Sequence, residues 1–349
     1  MPRTPRIFRM SRIVATRRPL LVAAVLLFAA CSAQREPTAP QKPTALQKQS
    51  GAATPVALSF NWPDGLSARV RSTSVKSQSV GPRSRTQDLT AEYVMDARRN
   101  EAGVDVSFDH FEVHQAPEAK GDGAAERVLA YRPGFAVDNT GKLVEVQGLE
   151  VLKSLLEPLQ SRMTTASTEE QQGLQALAQT VTNEHYLKAR AGAEWNNMIG
   201  AWLHASLTPG KVRTTEEESA ASGILDVPIH TRIQTSLTRI DGCERIGATD
   251  CVRLRMIKQP DEDKMREAML PNIGKLLGVE DWGPEGPPKI HSIVATSQLI
   301  VDTEANTLIP HRIEALRVFI LELVRPEGLI QVRDSNRMTS TYTYDSNGE

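Results

Sequence analysis

What the sequence lacks narrows it first. It contains no G-x-S-x-G elbow, no H-E-x-x-H pair, no phosphate loop and no dinucleotide fingerprint, so the common serine hydrolase, zinc peptidase and nucleotide-binding contexts are missing. Gly134 and the Gly141-Lys142 pair are spaced wrongly for a phosphate loop and sit in a hairpin pattern. Aromatic residues make up only 5% of the chain and charge is ordinary at 24%, which describes a globular body with enough aliphatic residues for a real core. Three cysteines are present, none in C-x-x-C spacing. Acidic residues are absent from the first thirty positions, which hold Arg3, Arg6, Arg9, Arg12, Arg17 and Arg18. Taking those six from 41 basic residues leaves 35 against 42 acidic ones, so the rest of the chain carries a formal charge of -7. Nucleic-acid binding, which relies on Lys and Arg neutralising phosphates, is not expected of such a body.

What is present begins with an export signal. An arginine-rich lead is followed by an apolar run from Leu20 to Ala30 and by small residues before Cys31. The run is eleven residues long, short of the ~20 that span a bilayer as a helix. Met10 opens a second, more compact signal containing Arg12, Arg17 and Arg18, so translation from either Met1 or Met10 fits the pattern.

The end of the run, Leu27-Phe28-Ala29-Ala30-Cys31, resembles the lipobox of bacterial lipoproteins. The resemblance implies cleavage before Cys31, a covalent diacylglycerol on its sulfur and an N-acyl chain on the new amino group. Phe28 stands where the family prefers Leu, and the competing reading is ordinary signal cleavage after Ala33. Ser32 occupies the place where Asp would hold an enteric-type lipoprotein at the inner membrane, so the resemblance implies an outer-membrane anchor with the body facing the periplasm. Such chains anchor firmly because each buried methylene contributes ~0.8 kcal/mol. Residues 1–30 are thus read as signal peptide and 31–56 as a lipidated tether, rich in Pro, Gln, Ala, Thr and Ser and without apolar period.

Cys243 and Cys251 lie between apolar-alternating runs, Ile233, Leu237 and Ile240 before and Val252, Leu254 and Met256 after. This is a hairpin pattern with a glycine-containing loop, and two near cysteines in an exported chain read as a disulfide. A metal or redox pair is the alternative, without C-x-x-C spacing or a nearby histidine to favour it.

The body is expected to be α+β, mainly an antiparallel curved sheet or sheets with a central helical insertion and a second short helix. Period-two patterning predicts strands over 68–77, 86–95, 103–114, 127–131, 135–137 and 143–146, the last pair turned by Asn139-Thr140-Gly141. Three helices follow: one from Leu149 to Met163, one opened by the capping box Ser167 and Glu170 and running through Leu187, and one around 195–203. Strands return over 228–257. A short helix carries Met265, Met269, Ile273 and Leu276 and is interrupted by Pro271, and three strands close the chain over 291–301, 308–324 and 329–344. This divides the body into an N-terminal part, 57–206, and a C-terminal β-rich part, 207–349, which could share one domain.

Val137-Asp138-Asn139-Thr140-Gly141-Lys142-Leu143 and Val301-Asp302-Thr303-Glu304-Ala305-Asn306-Thr307-Leu308 are alike: apolar-Asp, a turn, then a strand. This pattern is similar to hairpins in the half-barrel periplasmic lipoprotein carriers of the outer-membrane sorting pathway. The whole body also resembles an uncharacterised family of secreted β-rich bacterial proteins, in which a Gly-Lys turn precedes an apolar helix, as Gly141-Lys142 precedes Leu149 here. The resemblance implies a half-barrel with an apolar concavity able to hold acyl chains.

Candidate site residues are few. His110, Glu112 and His114 share one face of a strand, but at about 6.6 Å per step the two histidines stand about 13 Å apart, and the simpler reading is a solvent stripe with Phe111 and Val113 inward. Glu216, Glu217 and Glu218 read as a solvated loop or turn. Trp195, Ile199 and Trp202 form a helical stripe that suits either a core or the wall of an apolar ligand pocket, and Met265 and Met269 invite the same pair of readings. No metal or organic cofactor is expected beyond the acyl chains on Cys31. The functional expectation is a non-catalytic binding module for an apolar or lipid ligand, held to the membrane by its anchor. Its rivals are an envelope-assembly lipoprotein that binds a protein partner, and a hydrolase with an unrecognised site.

Overall fold

The computed structural model describes residues 54–115, 130–152, 154–155, 184–220, 228–241, 243, 250–273, 286–325 and 328–344. The signal, Cys31, the tether up to residue 53, the expected capping box at Ser167 and Glu170, and Leu276 lie outside them, while Val56, expected to end the tether, is buried in a strand.

Eleven strands form one antiparallel sheet. In chain order they are β2 (Leu66–Val80), β3 (Arg83–Arg99), β4 (Gly103–Gln115), β5 (Gly134–Asp138), β6 (Leu143–Gln147), β8 (Val212–Ala220), β9 (Pro228–Arg239), β10 (Cys251–Pro260), β11 (Lys289–Glu304), β12 (Pro310–Arg325) and β13 (Gly328–Tyr344). Two short strands, β1 (Val56–Ala57) and β7 (Ser206–Leu207), pair separately. The order across the sheet is β6-β5-β4-β3-β2-β13-β12-β11-β10-β9-β8, and it is open, with β6 and β8 at its edges.

The topology follows from tight turns. Each strand pairs with its neighbour in sequence except at the centre, where β2 and β13 meet and Val70 faces Tyr342. The first long strand and the last are therefore zipped together, and the sheet runs without a break across the boundary expected at 206/207. Since β6 and β8 are at opposite edges, the chain between them crosses from one edge of the sheet to the other. Helix α1 (Glu184–Met198) and a 3-10 turn (Gly200–Trp202) lie on that crossing.

The expected antiparallel sheet dominates, and helix is so minor a component of the described residues that the observed class is mainly β rather than clearly α+β. Three- and four-residue apolar spacing is a strong signal of helix, whereas long strands of mixed polarity give a weaker one. Residues 149–152 are helical, as the leucine spacing predicts. The expected strand over 127–131 is corrected where it is described. Ala130 is helical and Tyr131 is outside any strand, because Arg132 turns inward to pair with Glu194 of α1 at 3.2 Å and the Tyr131 hydroxyl donates to the Gly148 carbonyl at 2.6 Å. Trp195, expected to open a helix, sits instead in the last turn of α1.

A second helix, α2 (Glu262–Met269), opens on Asp261, whose carboxylate accepts from the Lys264 amide at 2.9 Å. It gives way to a 3-10 turn at Leu270–Asn272, where Pro271 supplies no amide hydrogen. The β9–β10 hairpin is closed by the Cys243–Cys251 disulfide, with Cα atoms 5.8 Å apart.

Candidate binding face

Side chains alternate across a strand, so directly opposed residues on neighbouring strands share a face. On β2, Leu66, Ala68, Val70, Ser72, Ser74 and Lys76 are buried while Arg69 and Arg71 are exposed. The covered face therefore carries Ala91, Tyr93 and Met95 of β3, Ser340 and Tyr342 of β13, Ile313 of β12, Val301 of β11, Leu254 of β10 and Leu237 of β9.

One end of this face is sealed by aromatic rings. Trp195, Ile199 and Trp202 are all at most 1% exposed. Trp195 packs on Phe60, Trp62 and Phe135 with centroids 6.1, 5.7 and 5.4 Å away, and its Nε1 donates to the Gly141 carbonyl at 2.9 Å. Phe60 and Trp62 come from a strap over residues 56–62. The amides of Leu58, Ser59 and Asn61 donate to Ala205, Ala305 and Thr307, which ties the strap to the chain before β7 and to the β11–β12 turn. Trp195, Ile199 and Trp202 thus belong to this core, packed against protein groups. The strap does carry a period-two signal, Val56, Leu58, Phe60 and Trp62 alternating with Ala57, Ser59 and Asn61, but nothing in that pattern points to α1 as its partner.

The opposite end of the same face holds a smaller apolar cluster. Met265, Ala268, Met269 and Ile273 pack on Ile229, Ile293, Leu321 and Leu323. Both methionines serve the core here.

Between the two clusters runs a polar rung. Gln87, Lys76, Asn336, Arg317, Ser297 and Lys258 are directly opposed, one from each of β3, β2, β13, β12, β11 and β10. At about 4.8 Å per strand the rung is roughly 24 Å long. The next row contains Arg85, Gln78, Asp334, Phe319 and Ala295. Lys76, Gln78, Arg85 and Gln87 line a small pocket. Lys76 is buried and engaged within the protein. Gln78 Nε2 donates to Asp334 at 2.9 Å; burial raises the Asp334 carboxyl above its ordinary pKa, against the opposing influence of Gln78 and Lys76. Lys258 pairs with Glu217 at 3.5 Å. Arg85 and Arg317 are exposed and make no ion pair among the described residues. No sequence pattern marks the rung, since each member is a lone polar residue in its own strand and only the register aligns them.

The other candidates are placed as follows. His110, Glu112 and His114 are exposed, and a bulge shifts the register from Glu92 opposite Glu112 to Val94 opposite Asp109. His110 takes a positive φ of 55° in the bulge, so the regular spacing assumed for the stripe does not hold. Phe111 turns inward onto Tyr93, centroids 5.3 Å apart. Glu216, Glu217 and Glu218, expected in a loop, lie in edge strand β8, a correction with a physical reason. An acidic edge resists pairing with another sheet, and Glu217 and Glu218 find Lys258 and His230 as neighbours. Glu304 and His311 form a buried pair at 3.3 Å beneath the β11–β12 turn, with Thr307 Oγ1 donating to the same carboxylate. No nucleophile is aligned with this pair by any contact described, and it reads as a turn-stabilising pair.

No protein-family profile and no curated protein matches this chain. Function therefore rests on the covered face itself.

Proposed function

We propose that the chain is an envelope lipoprotein, acylated at Cys31, whose sheet acts as a non-catalytic binding module for an apolar or amphiphilic ligand. In this reading the sheet bends into a half-barrel, and the ligand lies against its covered face. The observation that supports it is a polar rung, with the partly buried apolar row Leu89, Met338 and Leu299 beside it, running between the two packed ends of one face. Gln87 and Arg317 of the rung are exposed and only Lys76 is buried, so the rung is an accessible polar strip rather than part of the packed core. An amphiphile matches both characters at once.

Native mass spectrometry of the protein purified from its own host without detergent tests the reading. Co-purifying lipid at defined stoichiometry is expected; protein that never carries lipid overturns it. The anchor is tested separately by mass analysis of the mature N-terminal peptide. A peptide beginning at acylated Cys31 is expected, and one beginning at Gln34 removes the membrane location.

The outer face favours a second reading. Val294, Val324 and Leu329 are 37%, 42% and 58% exposed there and at the nearby β12–β13 turn, which suits an envelope protein partner. Cross-linking in the host that recovers one stable protein partner through these residues would support it over the first.

A further inference from the structure

We infer that the ligand, on the binding reading just given, is an anionic amphiphile whose carboxylate or phosphate head caps the small pocket formed by Lys76, Gln78, Arg85 and Gln87. The argument begins with charge. The rung and the row beside it hold Arg85, Lys76, Arg317 and Lys258 against Asp334 and Glu217, and both carboxylates are already committed, to Gln78 and to Lys258. Among the described residues of these two rows the balance is positive, with Lys76 already engaged within the protein, in a body whose formal charge is -7 by sequence. Local charge opposite to that of the whole marks a recognition feature better than a general surface property does.

Geometry then selects the place. Lys76 stands opposite Gln87, and Gln78 opposite Arg85, so four side chains with N–H donors form the corners of a rectangle about 5 Å by 7 Å. An arginine fork beside a lysine is the usual arrangement for bidentate contact with carboxylate or phosphate oxygens. Arg85 is exposed and pairs with no carboxylate among the described residues, which leaves its guanidinium to face a ligand. Lys76 acts from below as a fixed positive charge, its effect already felt by Asp334.

The chain of the amphiphile has a matching surface. Directly beside the rung, Leu89, Met338 and Leu299 are partly buried apolar side chains on the same face, at the margin of the aromatic end. A head capping the pocket places an alkyl chain along this row. Met338 suits the role because methionine adapts to irregular apolar partners.

The test uses the full-length protein, stripped of bound lipid, and three probes below their micelle-forming concentrations: dodecyl phosphate, dodecyl maltoside and inorganic phosphate. Isothermal titration should show dodecyl phosphate binding at least tenfold more tightly than either other probe, with affinity falling as salt rises. Arg85→Gln should weaken dodecyl phosphate about tenfold and leave dodecyl maltoside unchanged, while Arg317→Gln, three strands away, should change it less than twofold. Equal binding of the two dodecyl probes overturns the anionic head but leaves the binding function standing. Phosphate binding as tightly as dodecyl phosphate overturns the chain site. Equal losses in the two variants overturn the pocket assignment. No binding of any dodecyl probe overturns the binding function itself.

Discussion

The two ends of the covered face are built from the same strands and closed in different ways. At the aromatic end, four separate pieces of chain converge: the strap, the β5–β6 turn, α1 and the β11–β12 turn, joined by ring packing and by hydrogen bonds to backbone carbonyls. At the methionine end, one two-turn helix and the 3-10 turn after it cover Ile293, Leu321 and Leu323. The aromatic end depends on contacts distant in sequence, so its loss should propagate through the sheet. The methionine end depends on a local helix with its own cap, so its loss should stay local.

The largest effect is expected from Trp195→Ala. It empties a site with no exposure and leaves the Gly141 carbonyl without its indole donor. The cost should be about 3–5 kcal/mol, measured by urea unfolding. Amide exchange should accelerate in β2, β5 and β13 together if the aromatic end is cooperative. Met269→Ala should cost about 2–3 kcal/mol and speed exchange mainly in α2 and the adjoining ends of β9, β11 and β12. If both variants loosen the same set of amides, the distinction between the two ends is wrong.

Gly141→Ala comes next. The glycine has φ +85°, and a Cβ there would stand 2.6 Å from Phe60 Cγ and 2.9 Å from Leu203 Cδ2. Positive φ and overpacking together should cost about 2 kcal/mol. The effect should fall on the strap, seen as increased protease cleavage within residues 54–62, and spare α2. A cleavage pattern unchanged at the strap would mean that Phe60 is not held by this turn.

These positions also show what could be read in the sequence. The long strands were legible at their centres because Val70, Val94 and Leu254 sit in period-two runs, and their ends were missed where polar residues continue the strand, as over Gln78–Val80 and Arg83–Arg85. β8 was missed because Thr214–Glu218 has no apolar alternation, an edge strand being free to be polar on both faces. The cysteine hairpin was legible from spacing alone. The candidate site was not, because the polar rung is a property of register: six residues drawn from the whole length of the body become neighbours only after β13 returns to β2. The tryptophan stripe was recognised, but its partners Phe60 and Trp62 lie more than 130 residues upstream, and sequence spacing carries no information about that contact.

The last comparison concerns the two hairpins that look alike in sequence. Asp138 closes its turn, accepting from the Thr140 amide at 2.8 Å, the Thr140 hydroxyl at 2.7 Å and the Lys142 amide at 3.0 Å. Asp302, its counterpart, leaves its turn to Thr307 and Glu304 and instead accepts both nitrogens of the Arg253 fork, at 2.7 and 2.8 Å, across to β10. The same apolar-Asp-turn signature therefore supports a turn in one hairpin and strand-to-strand pairing in the other. Asp138→Ala should destabilise by about 1 kcal/mol at pH 7, the smallest of these effects, because the turn is largely exposed. The hydrogen bond from Thr140, with those from the Lys142 and Thr140 amides, holds the Asp138 carboxyl below its ordinary value of 3.8. Its contribution is thus fully present above that value and is lost as pH falls through the lower folded value. The gap between wild type and Asp138→Ala should stay constant from neutral pH to about pH 4 and narrow below it. A gap that widens on acidification would show that the carboxylate is strained in the turn rather than stabilised by it, and the turn that presents the Gly141 carbonyl to Trp195 would owe its shape to the indole instead.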